Sequence, residues 1–356
     1  MLKKAAAVLA ICASMATWVG CASTSSHYLY ASSPTANQIF AYREDPNAGV
    51  LTQLAGSPIS AGQSVSALAM HPSGKFLYAV NSGEDDVSVY AISASGALTE
   101  AAGRTPVGTA PTLLALDGAN GFLYVGNSGS FSISVFSINS STGLLTAVGN
   151  PFPIGLVPIN MKLSPSGGVL YVAGGGNPGI IEAFGLSQGV PCTVGSACYV
   201  PNSPFYTGNS PYGMAVSASG GFLYTANKVD ASISEFAINS DGSLTEISGS
   251  PIGETYGGPI SLLIDKSGTY LYVANQGSTN LGGYSIGADG TITLLTTSPF
   301  GTGASPSVLA TDPGGKFLFV GSGSSIQSFS LDTSDGVLTS VETYSVTSPN
   351  SIAITP

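Results

Sequence analysis

The sequence predicts an all-β chain, a seven-bladed β-propeller of four-stranded antiparallel blades. Two observations predict it. An aromatic strand recurs as Leu29-Tyr30, Leu77-Tyr78, Leu123-Tyr124, Leu170-Tyr171, Leu223-Tyr224, Leu271-Tyr272 and Leu318-Phe319, at steps of 48, 46, 47, 53, 48 and 47 residues. That period suits propeller blades, and the segments lack the 3.6-residue periodicity of a helical solenoid. The two ends are also complementary. The chain body starts at Tyr28 with the aromatic strand, and it ends in Pro349-Asn-Ser-Ile-Ala-Ile-Thr355, a strand of the kind that precedes the aromatic one elsewhere. The last strand is expected to complete the first blade and so remove an exposed edge.

Each copy carries four strand signals. The first follows a proline, as in Pro111–Leu116, Pro158–Leu163 and Pro211–Val216. The second is the aromatic Leu-Tyr-Val run. The third alternates, as in Ser132–Phe136 and Ser232–Phe236, and the fourth reads Gly-x-Leu-Thr at 143–146 and 242–245. Pro-Ser-Gly at 72–74 and 165–167 supplies the left-handed residue of a tight hairpin between the first two strands. One such sheet has two apolar faces and cannot cover either alone; stacked radially, each covers its neighbour. The extra residues of the 53-residue step fall at Gln188–Ser203, between the third and fourth strands of the fourth copy. Turns of that kind share the lower face with the Pro-Ser-Gly turns, so the upper face and channel mouth are left to the other loops.

Composition fits this reading. Glycine is abundant (47 residues) and charged residues make up only 8% of the chain, whereas soluble helices need charged solvent faces. Lys3 and Lys4 begin an apolar run, Ala5–Val19, of export-signal length and short for a membrane span. The run ends in Trp18-Val19-Gly20-Cys21, which resembles a bacterial lipobox and implies lipidation at Cys21; ordinary cleavage is the alternative. Residues 1–21 are thus read as the signal, 22–27 as a tether and 28–356 as one propeller. The body then holds 7 basic residues against 19 acidic ones, which excludes a phosphate-backbone footprint and makes nucleic acid an unsuitable partner. Export also places Cys192 and Cys198 in an oxidising compartment, where a disulfide closing a small loop is expected.

The phrase His71-Pro-Ser-Gly-Lys-Phe-Leu-Tyr-Ala-Val-Asn81 and the repeated Tyr-Val-x-Asn strand resemble the lactonase family of seven-bladed propellers, which includes 6-phosphogluconolactonase and YVTN-repeat surface proteins. The resemblance covers the mature chain and implies the propeller fold. For activity it implies lactone hydrolysis, but the chain departs from the family's pattern. Asn81-Ser82 stands where members have Asn-Glu. Gly155–Asn160 and Gly174–Gly179 lack the His-rich stretch and the Asp-x-Gly-x-Asp loop.

Lactone hydrolysis needs a base and oxyanion donors. His71 reads as a turn residue and His27 lies at the start of the body, so no histidine is left for the channel mouth. Lys75, Lys266, Lys316 and Arg43 map to the lower face. Arg104, Lys162 and Lys228 map upward on three separate copies, a poor phosphate cluster. Lys162 stands out, because Ala69, Ala115, Ala215, Leu263, Ala310 and Ala353 occupy its position in the other copies. Glu182 replaces the serine found at 88, 134 and 234. Asn160, Tyr212 and Tyr256 fall near the starts of innermost strands, and Glu254 lies close by. Lys162, Asn160, Glu182, Tyr212, Tyr256, Glu254 and Lys228 are therefore the candidate ligand contacts. Glu84-Asp85-Asp86 reads as a solvated turn, and Asn81, Asn127, Asn227 and Asn275 as turn caps. The expectation is an exported, lipid-anchored monomer of the cell envelope, periplasmic or at the outer membrane. It would bind a small ligand or an envelope protein at the channel mouth, with no cofactor and no metal; lactone hydrolysis is the alternative.

Overall fold

The computed structural model describes residues 26–117, 119, 121–187, 189–191, 199–254 and 256–356. Cys21, Cys192 and Cys198, and with them the lipidation and disulfide expectations, lie outside the described residues. The described residues form seven antiparallel sheets in a ring. The innermost strands of blades two to seven are Val65–Met70, Pro111–Asp117, Pro158–Leu163, Pro211–Val216, Pro259–Ile264 and Pro306–Thr311. The first blade takes its innermost strand from the C-terminus. Ser351–Ile354 pairs with His27–Ser33, with Leu29 opposite Ile354 and Tyr30 opposite Ala353. Tyr28 and Thr355 extend the ladder, each donating its N–H to the other residue at 2.9 Å.

The core is divided into seven apolar clusters, one at each seam between neighbouring blades. Six seams share one device. A fully buried tyrosine on the second strand donates its hydroxyl to the carbonyl of a glycine in the next blade. The pairs are Tyr30–Gly96, Tyr78–Gly143, Tyr124–Gly189, Tyr171–Gly242, Tyr224–Gly290 and Tyr272–Gly336, and four of them are 2.7–2.9 Å long. Each glycine has positive φ, and at Gly143, for example, a Cβ would stand 2.5 Å from Phe76; an L side chain there would meet both strain and a clash. At the seventh seam, between blades seven and one, Gly49 sits against Phe317 in the same way. There the tyrosine position is Phe319, which has no hydroxyl to donate.

The outer strand departs from the expected single Gly-x-Leu-Thr strand. In six blades it is two short pieces on the same neighbour, such as Leu51–Gln53 and Ile59–Ser60. In four blades a serine hydroxyl in the gap accepts the orphaned N–H of the third strand. Ser57 does so for Ala41 at 2.8 Å, Ser203 for Ala183 at 3.0 Å, Ser250 for Glu235 at 2.9 Å and Ser298 for Gly283 at 3.1 Å. A side-chain oxygen thereby stands in for the missing backbone carbonyl.

Candidate functional site

The innermost strands enclose a cavity of about 380 Å³ along the ring axis. Each innermost strand lines it with its leading half, such as Ser66–Leu68 of the second blade and Asn350–Ile352 of the first. The polar groups of the lining include Ser66, Thr112, Asn160, Tyr212 and Ser307. The bulge after the leading proline of strands such as Pro158–Leu163 turns successive residues between the channel and the seams. Met161 packs into the seam of blades three and four, and Asn160 and Lys162 lie on the opposite side of their strand.

Lys162 carries the one formal charge among the described lining residues. It also lines a second cavity of about 250 Å³. Its side chain is open to the channel yet surrounded by the walls, and this desolvation lowers its pKa from the ordinary lysine value. Among the described residues no carboxylate lies within ion-pair distance of it.

Three of the sequence candidates meet at the mouth between blades four and five. Asn160 Nδ2 donates to the Tyr212 carbonyl at 2.8 Å. Lys228 Nζ sits 4.7 Å from the centre of the Tyr212 ring, a cation–π contact worth about 0.5–1 kcal/mol where exposed. Lys228 is placed by its N–H, which donates to the Ser210 carbonyl at 3.0 Å. Tyr212, Tyr206 and Val229 leave an unusual amount of apolar surface exposed on these two blades.

Glu182 and Glu254 lie apart from the cavity lining and are buried in their blades. The other copies explain both. In blades two, three and five an asparagine ends the second strand and donates Nδ2 to a third-strand serine, as Asn81 does to Ser88 at 2.9 Å. These asparagines pack on a glycine of the incoming loop, Gly62, Gly108 or Gly208, rather than capping their turns. Blade four has Gly174 in place of the asparagine and Glu182 in place of the serine. The carboxylate fills the same space, accepting the Gly155 N–H at 3.3 Å. In blade six the serine is Gly282, and Glu254 takes over its role as acceptor for Asn275 Nδ2 at 3.2 Å, while Tyr284 donates its hydroxyl to the other oxygen. Burial pushes both carboxyls above the usual range, and their hydrogen bonds pull back. Tyr256 follows, its N–H donating to Glu254 at 3.4 Å. No Lys162–Glu182 ion pair forms.

The acidic turn Glu84–Asp86 is engaged rather than freely solvated. Glu84 pairs with Arg104, Asp85 accepts the Ala110 N–H at 2.7 Å and Asp86 accepts Asn81 Nδ2 at 2.7 Å. Glu100 also holds Arg104, at 2.9 Å, which keeps that guanidinium at the outer rim.

The chain matches the family profile "Lactonase, 7-bladed beta-propeller" over residues 55–161, 196–298 and 262–355. It belongs to that family. Among solved structures, one assigned as a 6-phosphogluconolactonase in Bacteroides fragilis is 20% identical, with a TM-score of 0.77 over 94% of this chain and 99% of that one. The periplasmic gluconolactonase of Pseudomonas aeruginosa is 18% identical, with a TM-score of 0.76 over 93% of this chain and 99% of that one. A protein from Lactobacillus plantarum is 18% identical, with a TM-score of 0.78 over 93% and 99%. At such identity these likenesses speak for the fold. No curated relative matches the chain.

Proposed function

We propose that this lactonase-family propeller is an exported, lipid-anchored monomer of the cell envelope that binds a small ligand in the upper channel. The ligand carries a carboxylate or a lactone-type carbonyl. The observation behind this reading is Lys162, a lone amine among apolar walls with amide and phenol groups at the mouth above it. Such an amine gains more from an anionic or carbonyl oxygen in the channel than it would in water. The exposed Tyr206, Tyr212 and Val229 suit a sugar ring or the edge of an envelope protein.

Lactone hydrolysis is the second reading, and one observation favours it. A lysine with a lowered pKa presents more neutral amine at neutral pH, the form able to take a proton from water. One experiment separates the two. Gluconate is titrated calorimetrically, and glucono-1,5-lactone hydrolysis is compared with its spontaneous rate, for the natural protein and Lys162→Met. Binding that Lys162→Met weakens about tenfold or more, without turnover, is the expected result. Turnover lost with the amine would establish hydrolysis instead, and neither binding nor turnover would remove both.

The same variant has a stability signature. The folded protein holds the Lys162 proton less tightly than the unfolded chain. Stability therefore rises with pH from the folded pKa up to the ordinary lysine value. Lys162→Met is expected to flatten that rise. Thermal melts at neutral and alkaline pH check it.

A further inference from the structure

The seam between blades seven and one, which lacks the tyrosine–glycine bond, holds a different set of groups. Glu44 ends the third strand of the first blade, Gln38–Glu44. In the other six blades that position, paired with the outer strand, is Ile92, Ile138, Leu186, Ile238, Ile286 and Leu331. A carboxylate thus occupies an aliphatic core position. It is 1% exposed, and among the described residues neither of its oxygens has a hydrogen-bond donor.

Two further groups face it. His27 is its partner across the first hairpin, with Nδ1 3.5 Å from Glu44 Oε2 and no hydrogen bond of its own. Asp312 comes from the seventh blade and is 2% exposed. The N–H groups of Gly314, Lys316 and Phe317 donate to its carboxylate at 2.8, 2.7 and 2.6 Å and fix its direction. One ligand atom from each of the three residues lies within 4.8 Å of the others. Among the described residues no lysine or arginine is within ion-pair distance of either carboxylate. Two buried carboxyl groups and an imidazole thus converge, with no partner for the Glu44 oxygens or for His27 Nδ1.

We infer that His27, Glu44 and Asp312 bind one divalent first-row transition-metal ion of the zinc type, which ties the seventh blade to the first. The donor set selects the class. An imidazole nitrogen with two carboxylate oxygens suits zinc and its neighbours, whereas calcium and magnesium favour all-oxygen shells. Three protein ligands leave room for water in the remaining position. The ion would do at this seam what the tyrosine hydroxyl does at the other six, across the same pair of neighbouring sheets.

The test is calorimetric titration of chelator-treated protein with zinc sulfate, followed by thermal melts with and without the metal. One zinc per chain is expected, with a rise in melting temperature of about 3–6 °C at a hundredfold excess over the dissociation constant. Glu44→Ile installs the residue of four other blades, so it should fold, melt cooperatively and show neither the binding nor the shift. Glu44→Gln keeps the volume and should weaken zinc at least about tenfold. No zinc bound, or equal binding by both variants, would overturn the site; the latter would point to the Cys192 and Cys198 thiols. A calcium or magnesium response as large as the zinc one would overturn the choice of metal.

Discussion

Removing Ser351–Pro356 is expected to leave a chain that does not fold. Those residues supply the innermost strand of the first blade. They bring Ala353 into the core shared by blades one and two, and Ile352 and Ile354 against the core shared by blades seven and one. Both isoleucines are half-buried, so they contribute less than the about 3–6 kcal/mol of two fully buried side chains. The ladder from Leu29–Ile354 to Ser32–Ser351 adds about 1 kcal/mol per hydrogen bond. The sum approaches the whole stability of a typical domain, about 5–15 kcal/mol. Two apolar clusters would open at once, and His27–Ser33 would become a bare edge prone to pairing with other chains. Circular dichroism and gel filtration of the truncated protein should show an aggregated species without a cooperative melt. A melt within a few degrees of the intact protein would mean that the ring does not depend on this strand.

Tyr224→Ala is expected to cost about 3–5 kcal/mol, and Tyr224→Phe about 1 kcal/mol. The side chain is fully buried at the seam of blades five and six, and its hydroxyl donates to Gly290 at 2.8 Å. Alanine removes the ring and leaves a cavity between two sheets; phenylalanine removes only the hydrogen bond. Urea unfolding of both variants separates packing from hydrogen bonding. Equal losses for the two would show that the bond, not the ring, holds the seam, contrary to what its burial implies.

The blade count and the closing strand were legible because both rest on periodicity and on the need to cover apolar faces. The split outer strand was not, because Ser57, Ser203, Ser250 and Ser298 read as ordinary turn residues. Only the pairing shows their hydroxyls completing a ladder. Lys162 was legible because it replaces small apolar residues in aligned copies. The same comparison shows Glu182 in place of serine, whereas Gly174 in place of asparagine stands at a strand end, where glycine is ordinary. Taken together, the two changes are a compensating exchange inside one blade, with no bearing on the channel. Glu44 carries a signal as strong as that of Lys162, an ionisable residue where six copies have isoleucine or leucine. Its place at a strand end, next to Asp45 and a turn, gives it the look of an ordinary charged turn residue.

The phenylalanine at 319 has a consequence for how the molecule comes apart. In the metal-free protein, a closed circle with six equivalent joins and one where only the Leu51 N–H donating to the Tyr344 hydroxyl at 2.8 Å stands in has a preferred place to begin unravelling. Amide protons of His27–Ser33 and Phe317–Ser322 should exchange with solvent ahead of their counterparts elsewhere. Supplying a hydroxyl there with Phe319→Tyr, at the strand position from which the other six blades bond a neighbouring glycine, should slow that exchange and even out the circle.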